Sequence, residues 1–354
     1  MDLKALVQQY DGFYAPSFVV KVGTRSFSES SGLISDLSID ATLDGADRFS
    51  FTLNYPFDHA DGAFDGFVSE EFEGSALVSI ALGYGNTLTP LLVGRITSMT
   101  PNFPAGGAPT IEVSGYDLTH DMMGSTRKQT WEERTDSDVA RELAEDYGFN
   151  LDVEETGIPH REIIQDNKSD YEFMRERAKR YNMELFVRSP EKLNGGAKST
   201  LVFRDPPDEV ILKPTLSLAY GESLRSFSPE LNQTDLIGTV TVTHWDPKRK
   251  EKIVGRAERP SGSDEVKELK TPVDSRDDAD RVAKGELDRA WQGLVRASGE
   301  TVGLPEIRVG TTLKLSGVDQ FTGLYYVERV THRLGGSGYT TSFNSRRALA
   351  EVAG

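Results

Sequence analysis

Side chains able to do chemistry are plentiful in this sequence but dispersed. There are 56 Asp and Glu residues, five histidines and no cysteine. Without cysteine there is no thiolate zinc site, no thiol nucleophile and no disulfide framework. The histidines, at His59, His120, His160, His244 and His332, stand singly. A metal centre would need several distant loops to converge on them, so each reads as a surface or structural residue. Asp58, Asp61 and Asp65 lie in DHADGAFDG, where glycines could bend a loop around calcium. The alternating acidic ligands and terminal Glu of an EF-hand are missing, which leaves an ordinary acidic loop. Asp36, Asp40 and Asp44 are four apart in a strand-and-turn region, a spacing that scatters them. A pair of carboxylates for glycoside hydrolysis would be set by the fold, and nothing marks one. There is no Gly-x-Ser-x-Gly elbow, Walker loop, GxGxxG or His-Glu-x-x-His. The expectation is no catalytic, cofactor-binding or metal-binding residue, no cofactor, and a protein that is not an enzyme.

Charge narrows the partners. A net charge of −16 argues against nucleic-acid binding as the main activity, because phosphate contacts need clustered Lys and Arg. Two basic strings, RERAKR (175–180) and KRKEK (248–252), interleave with Glu and read as solvated faces. The opening MDLKALVQQYDG lacks a signal peptide's apolar core and cleavage site. No apolar run approaches the ~18–20 residues of a membrane-spanning helix. The composition therefore leads to the expectation of assembly in a reducing cytoplasm.

The elements that would carry these residues fall into three regions. At 354 residues the chain exceeds what one core normally supports, so two or three domains are expected. The first third is strand-like. In FSFTLNY, Phe49, Phe51, Leu53 and Tyr55 alternate with polar residues, which puts the large side chains on one sheet face. Val78, Ile80 and Leu82 repeat the pattern, and residues 56–74, broken by glycine and proline, read as an exposed loop. The middle third turns helical. Thr135 with Asp138, and Ser169 with Glu172, make capping boxes that open two helices. The helices stop at Gly148 and Asn182, and Tyr171, Met174, Ala178 and Tyr181 form the apolar stripe of the second. ELFVR (184–188) and TLVFR (200–204) flank an Asn-Gly-Gly turn as a hairpin, and a proline-punctuated connector follows at 205–214. The last third returns to strands, interrupted by a helix opened by Ser275 and Asp278 and by a mobile loop at 259–265.

One feature links the two β regions. Val93-Gly94-Arg95-Ile96-Thr97 is echoed by Val327-Glu328-Arg329-Val330-Thr331. Each copy has a strand before it and a glycine-rich turn plus another strand after it, so the chain reads as two copies of one small β-domain. Two unrelated meanders would look alike only because strands and turns draw on few residue types.

The middle third also carries a family resemblance. IIQDNKSDYEFMRERAKRYNMELFV (163–187), with Gln165, Asn167, Ser169, Asp170 and Phe173 in a Gln-x-Asn-x-Ser-Asp-x-x-Phe string, resembles the signature of the phage late control protein D family of contractile-tail hubs. The flanking LLVGRITSMTP, TIEVSGYDLTHDMM and YYVERVTHRLGGSGYTTSFNSRR are similar to the family as well. The resemblance implies a β-rich α+β fold: two similar tail-tube-like antiparallel β-barrels with an α+β module between them. Expected boundaries are residues 1–120 for the first barrel, 121–222 for the module and 223–354 for the second barrel. The implied function is that of a structural baseplate or tail hub of a phage or contractile injection system. Three chains with two barrels each would form a pseudo-sixfold ring matching a hexameric tail tube to a trimeric spike. The implied partners are two further copies of the chain, the tail tube protein, a separate spike protein, baseplate wedge components and a tape measure protein. The alternatives are a tail-associated cell-wall hydrolase, or a carbohydrate-binding tail protein using Tyr84 or Trp245.

Overall fold

The computed structural model describes residues 3–73, 75–192, 198–207, 214–232, 234, 236–259 and 263–348. Strands make up 50% and helices 19%, as the β-rich reading requires. After a short helix α1 (Leu3–Gln9), the first region holds β1 (Pro16–Val22), β2 (Arg25–Ser28), β3 (Ile34–Thr42), β4 (Arg48–Leu53), a minimal hairpin β5 (Phe57–Asp58) and β6 (Ala63–Phe64), then β7 (Leu77–Tyr84), β8 (Thr87–Asn102) and β9 (Thr110–Asp117). Phe49, Phe51, Leu53, Tyr55, Val78, Ile80 and Leu82 are all buried, so the period-two pattern places the core correctly. Residues 56–73 are mostly exposed, as expected, but their aromatic rings pack together. Phe57, Phe64 and Phe67 make a ring cluster with Phe103 and Phe72, and Phe72 is only 2% exposed, 6.2 Å from the ring of Phe27. These rings are irregularly spaced, so no periodicity announces their packing.

The middle region comprises β10 (Thr126–Arg134), α2 (Asp136–Asp146), β11 (Asn150–Val153), β12 (His160–Ser169), α3 (Asp170–Arg180), β13 (Glu184–Arg188) and β14 (Thr200–Arg204). Both capping boxes form reciprocally, and Gly148 and Asn182 take left-handed φ of 69° and 60° at the helix ends. β13 and β14 pair antiparallel, and β11 joins β14 in parallel. The Asn-Gly-Gly turn of this hairpin and residues 208–213 of the connector lie outside the described residues.

The last region holds β15 (Leu216–Ala219), β16 (Leu224–Leu231), β17 (Thr239–Asp246), β18 (Glu251–Glu258), β19 (Val266–Lys270), α4 (Arg276–Gln292), β20 (Val295–Val302), β21 (Thr312–Ser316), β22 (Gly323–Gly335) and β23 (Gly338–Arg347). Residues 260–262 of the loop expected at 259–265 lie outside the described residues. Ser275 caps α4 by accepting from the Asp278 amide, but the reciprocal half of the box is absent. The Asp278 carboxylate is engaged elsewhere, as described below.

The sheet makes the repeat concrete. The first region orders its strands β3-β4-β9-β8-β7-β1, and the last orders its own β16-β20-β23-β22-β21-β15. In chain order these are the same path. The first strand takes one end, the second takes the other, the third lies beside the second, and the last three fill the middle. One direction differs: β1 runs antiparallel to β7, whereas β15 runs parallel to β21, because β2 adds a return strand in the first half that the second lacks. The echoed pentapeptides occupy β8 and β22 at matching rungs. Ile39, Phe49, Gly115 and Ile96 lie opposite one another across four strands in one half, as do Phe227, Gly299, Phe343 and Val330 in the other. Each rung sets a glycine beside a phenylalanine ring, one ring in the first half and two in the second. A Cβ on Gly115 would lie 2.7 Å from the Phe49 ring, and one on Gly299 would lie 2.5 Å from the Phe343 ring.

The two halves are joined edge to edge. β22 gives the start of one edge to β21, from Gly323 to Tyr326, and the rest, from Arg329 to Leu334, to β3. One thirteen-stranded sheet therefore runs through the chain, and among the described residues neither half closes on itself as a barrel.

Candidate functional site

The densest polar constellation centres on α3, whose basic string was expected to be a solvated face. Instead, three of its arginines each hold a carboxylate from a different region. Arg175 grips Asp44, from the β3–β4 turn, with two bonds of 2.6 and 2.7 Å. Arg177 takes Asp136 at the start of α2 at 2.5 and 3.1 Å. Arg180 donates to Asp278 on α4 at 2.9 Å and to the Pro272 carbonyl at 2.7 Å. The capping boxes fix the helix start, so residues three apart, Arg177 and Arg180, project along one flank toward α2 and α4. Interleaved glutamates made the string look solvated, because charge pattern alone cannot say which carboxylates the fold brings opposite. KRKEK is exposed throughout, as expected.

Behind this helix lies a buried network. His160 sits between two carboxylates, with Nδ1 2.9 Å from Asp274 and Nε2 3.3 Å from Asp136. The Tyr181 hydroxyl donates to Asp278 at 2.8 Å, and the Asp274 amide donates to the same carboxylate at 3.0 Å. Asp136 and Asp278 are fully buried and His160 nearly so. Burial alone would lower the His160 pKa, but its bond to Asp136 and that carboxylate's charge outweigh this and raise it. Burial also pushes Asp136 upward, and His160 and Arg177 reverse the shift to leave it lowered.

His160, Asp274 and Asp278 approach closely enough to resemble a metal site. The donor set does not fit one. His160 Nδ1 is bound to Asp274, and the Asp278 oxygens are bound to Tyr181, Arg180 and the Asp274 amide. A cation would have to displace a guanidinium from a fully buried carboxylate. The constellation is a structural joint that fastens α2, α3, β12 and α4 together. No local signal announces it, since Asp136, His160 and Asp278 lie in unrelated local patterns. These contacts brace the middle module against the first and last regions.

The other residues singled out from the sequence are dispersed. Asp58 folds back on the amides of Ala60 and Asp61. Asp36 takes a left-handed φ at a bulge in β3, and Asp40 pairs with β22 residues. His332 is buried, bonded to Thr341, Tyr339 and the Ile307 carbonyl, and burial pushes its pKa down to about 3, so it is neutral. Tyr84 is buried and bonds the Gly303 carbonyl, which removes it as a sugar platform, whereas Trp245 is 59% exposed beside Lys252 and Lys270. One carboxylate pair does stand out. Asp47 is pushed up to about 7 by burial, and Asp117, whose Oδ1 accepts from the Asp47 amide, is raised by burial and by Asp47 itself. Asp47 accepts from the Thr42 amide and Asp117 from Thr119, so both organise the β3–β4 turn. Asp47 also borders a cleft of about 420 Å³ beside the junction of the halves, with Arg188, Arg204, Arg308 and Glu306 around it. Among the described residues, no helix is long and apolar enough to cross a membrane.

Comparison with solved structures identifies the fold as that of phage tail proteins. The 43 kDa tail protein of prophage MuSo2 from Shewanella oneidensis superposes with a TM-score of 0.72 at 14% identity, over 95% of this chain and 99% of that one. The tail protein of Neisseria meningitidis MC58 gives 0.69 at 12% identity, over 94% and 97%. The c3393 protein of E. coli is described as a type VI secretion component with structural similarity to the T4 tail proteins gp27 and gp5. It gives 0.59 at 12% identity, over 93% of this chain and 74% of its own. No curated protein matches the sequence. By sequence the chain belongs to the Alg8 N-terminal domain family, whose model matches residues 52–267, more than half its length.

Proposed function

We propose that this protein is a structural tail hub of the late control protein D kind, working in the baseplate of a phage tail or contractile injection system. Its role in this reading is mechanical and not catalytic. Three chains, each with two tube-like β-domains, form a pseudo-sixfold ring that meets a hexameric tail tube on one face and a trimeric, separately encoded spike on the other. The domains are residues 1–120, 121–222 and 223–354, and wedge and tape measure proteins complete the contacts. Such a ring assembles in the cytoplasm and ends in the particle.

The observation that carries the reading is the repeated strand path, β3-β4-β9-β8-β7-β1 and β16-β20-β23-β22-β21-β15. Two equivalent units per chain let a threefold protein present six similar units, because closed rings of repeated interfaces are the usual solution for oligomers. Tail-protein relatives that align with nearly the whole chain support it. The test is the mass of the protein in solution, alone and with its cognate tube and spike proteins. A trimer that co-elutes with tube or spike is the expected result. A chain that stays monomeric with every partner refutes the reading. Exposed Trp245 keeps a carbohydrate-binding role as a second reading, which a glycan array with Trp245→Ala as control would decide.

A further inference from the structure

The junction between the two halves has a counterpart that the chain itself leaves unfilled. β3 lies along β22 from Leu37–Leu334 to Thr42–Arg329. By the repeat, β16 is the equivalent of β3 and β8 the equivalent of β22. Among the described residues β16 pairs with β20 and, at Leu224 alone, makes an isolated bridge to Tyr220; from Ser226 to Leu231 no strand lies against its other edge. β8 is paired on both sides as far as Arg95, and from Ser98 to Asn102 it pairs with β9 alone. One chain thus carries a strand with an open edge and, far along the same sheet, an open segment of the kind that strand docks on.

The side chains differ from their buried equivalents as uncovered copies would. In β3 the inward residues Leu37, Ile39 and Ala41 are buried, and Leu43 is half-buried. The matching residues of β16 are Arg225, Phe227, Pro229 and Leu231. Phe227 and Pro229 are only half-buried, and Leu231 is 49% exposed. In β22, His332 is buried and Thr331 half-buried, whereas Thr97, Ser98, Thr100, Pro101 and Asn102 of β8 are exposed.

The geometry points to head-to-tail strand pairing between copies, in which β16 of one protomer docks on the Ser98–Asn102 segment of β8 in the next. This rests on the ring reading above and assigns its interface. The register follows from the internal junction once the bulge at Thr97 is counted. Ser98 faces Ser114 across β9 as Thr331 faces Ser342 across β23. Ser228 therefore lies opposite Ser98, Phe227 opposite Met99, and Ser226 opposite Thr100. The apolar pair falls on one face and the hydroxyl pairs on the other, as period-two alternation requires. Pro229 falls at the bulge, where a missing amide costs no ladder bond, and Leu231 reaches the start of β7, where Leu77 is 49% exposed. A proline in each edge also discourages indiscriminate pairing and leaves one register favoured.

The chain has no cysteine, so disulfide trapping tests this on a clean background. Residues directly opposite on antiparallel strands have Cα atoms ~4.5–5.5 Å apart, within disulfide reach. Two variants carry the expected pairs, Ser228→Cys with Ser98→Cys, and Ser226→Cys with Thr100→Cys. All four positions are exposed. Ser38→Cys with Arg333→Cys spans the internal junction as a positive control, and Ser228→Cys with Thr100→Cys is off register. After mild oxidation at high protein concentration, in-register variants should run as a covalent trimer on a non-reducing gel, with several-fold less product off register. If the internal control closes and neither in-register variant links between chains, the pairing is wrong. In that case a trimer seen by mass for the unmodified protein would leave the ring reading standing on another interface. A ladder that continues past three chains would keep the strand pairing and refute the three-chain ring.

Discussion

Removing the Arg180 guanidinium should loosen the joint between the middle module and the second half. Asp278 is fully buried, and among the described residues Arg180 is its only direct cationic partner, at 2.9 Å; the Tyr181 hydroxyl and the Asp274 amide also donate to it. In Arg180→Ala these two neutral donors remain beside an uncompensated buried carboxylate, and the bond to the Pro272 carbonyl is lost as well. Breaking a buried pair on one side costs ~3–5 kcal/mol. That is a large share of the ~5–15 kcal/mol of a whole folded chain. Arg180→Lys keeps the charge but not both bonds, so its cost should be ~1–2 kcal/mol. The assay is urea unfolding of the single variants, Asp278→Asn and the double variant, closed as a cycle. The coupling should be ~1–3 kcal/mol in favour of the pair. Hydrogen exchange across residues 276–292 locates the effect, since a chain of several units need not unfold in one step. If Arg180→Ala unfolds within ~1 kcal/mol of the parent, or the cycle shows no coupling, the joint is not what holds α3 to α4.

Three further outcomes are expected. The raised pKa of His160 contributes stability that is complete below about 6.5, its ordinary value, and is lost as pH rises through the folded value. Asp47, raised to about 7, acts in the same direction between its ordinary carboxylate range and 7, because the folded state holds the proton that the unfolded state releases. Urea midpoints should therefore fall from pH 6 to pH 8.5, and less so in His160→Gln; between pH 4 and 7.5 Asp47→Asn should flatten the profile, and an unchanged profile in both variants would refute these assignments. Gly285→Ala places a Cβ 2.6 Å from the Tyr181 backbone where α4 crosses the end of α3, so it should lower thermal stability by several degrees, whereas Gly106→Ala, with open space around it, should not. Phe72→Ala should remove ~3–5 kcal/mol of local packing and make residues 56–73 cleavable by protease at concentrations that leave the parent intact.

Features that depend on near neighbours along the chain were legible before any fold was known. Alternation placed Phe49, Phe51, Leu53 and Tyr55 inside, because side chains in a strand alternate whatever the sheet around them. Capping boxes set the starts of α2 and α3, because their bonds close within one turn. The VGRIT and VERVT echo marked matching rungs, because equivalent strands keep similar residues. The remaining features arise only from contacts between distant segments. Arg175, Arg177 and Arg180 became ion-pair partners because Asp44, Asp136 and Asp278 arrive from three different regions. The phenylalanines of the otherwise exposed segment 56–73 packed together because rings without periodicity found one another in space. The two halves became one sheet because β22 is long enough to share its edge between β21 and β3. That last choice depends on which edges meet across the whole chain, and no local pattern encodes it.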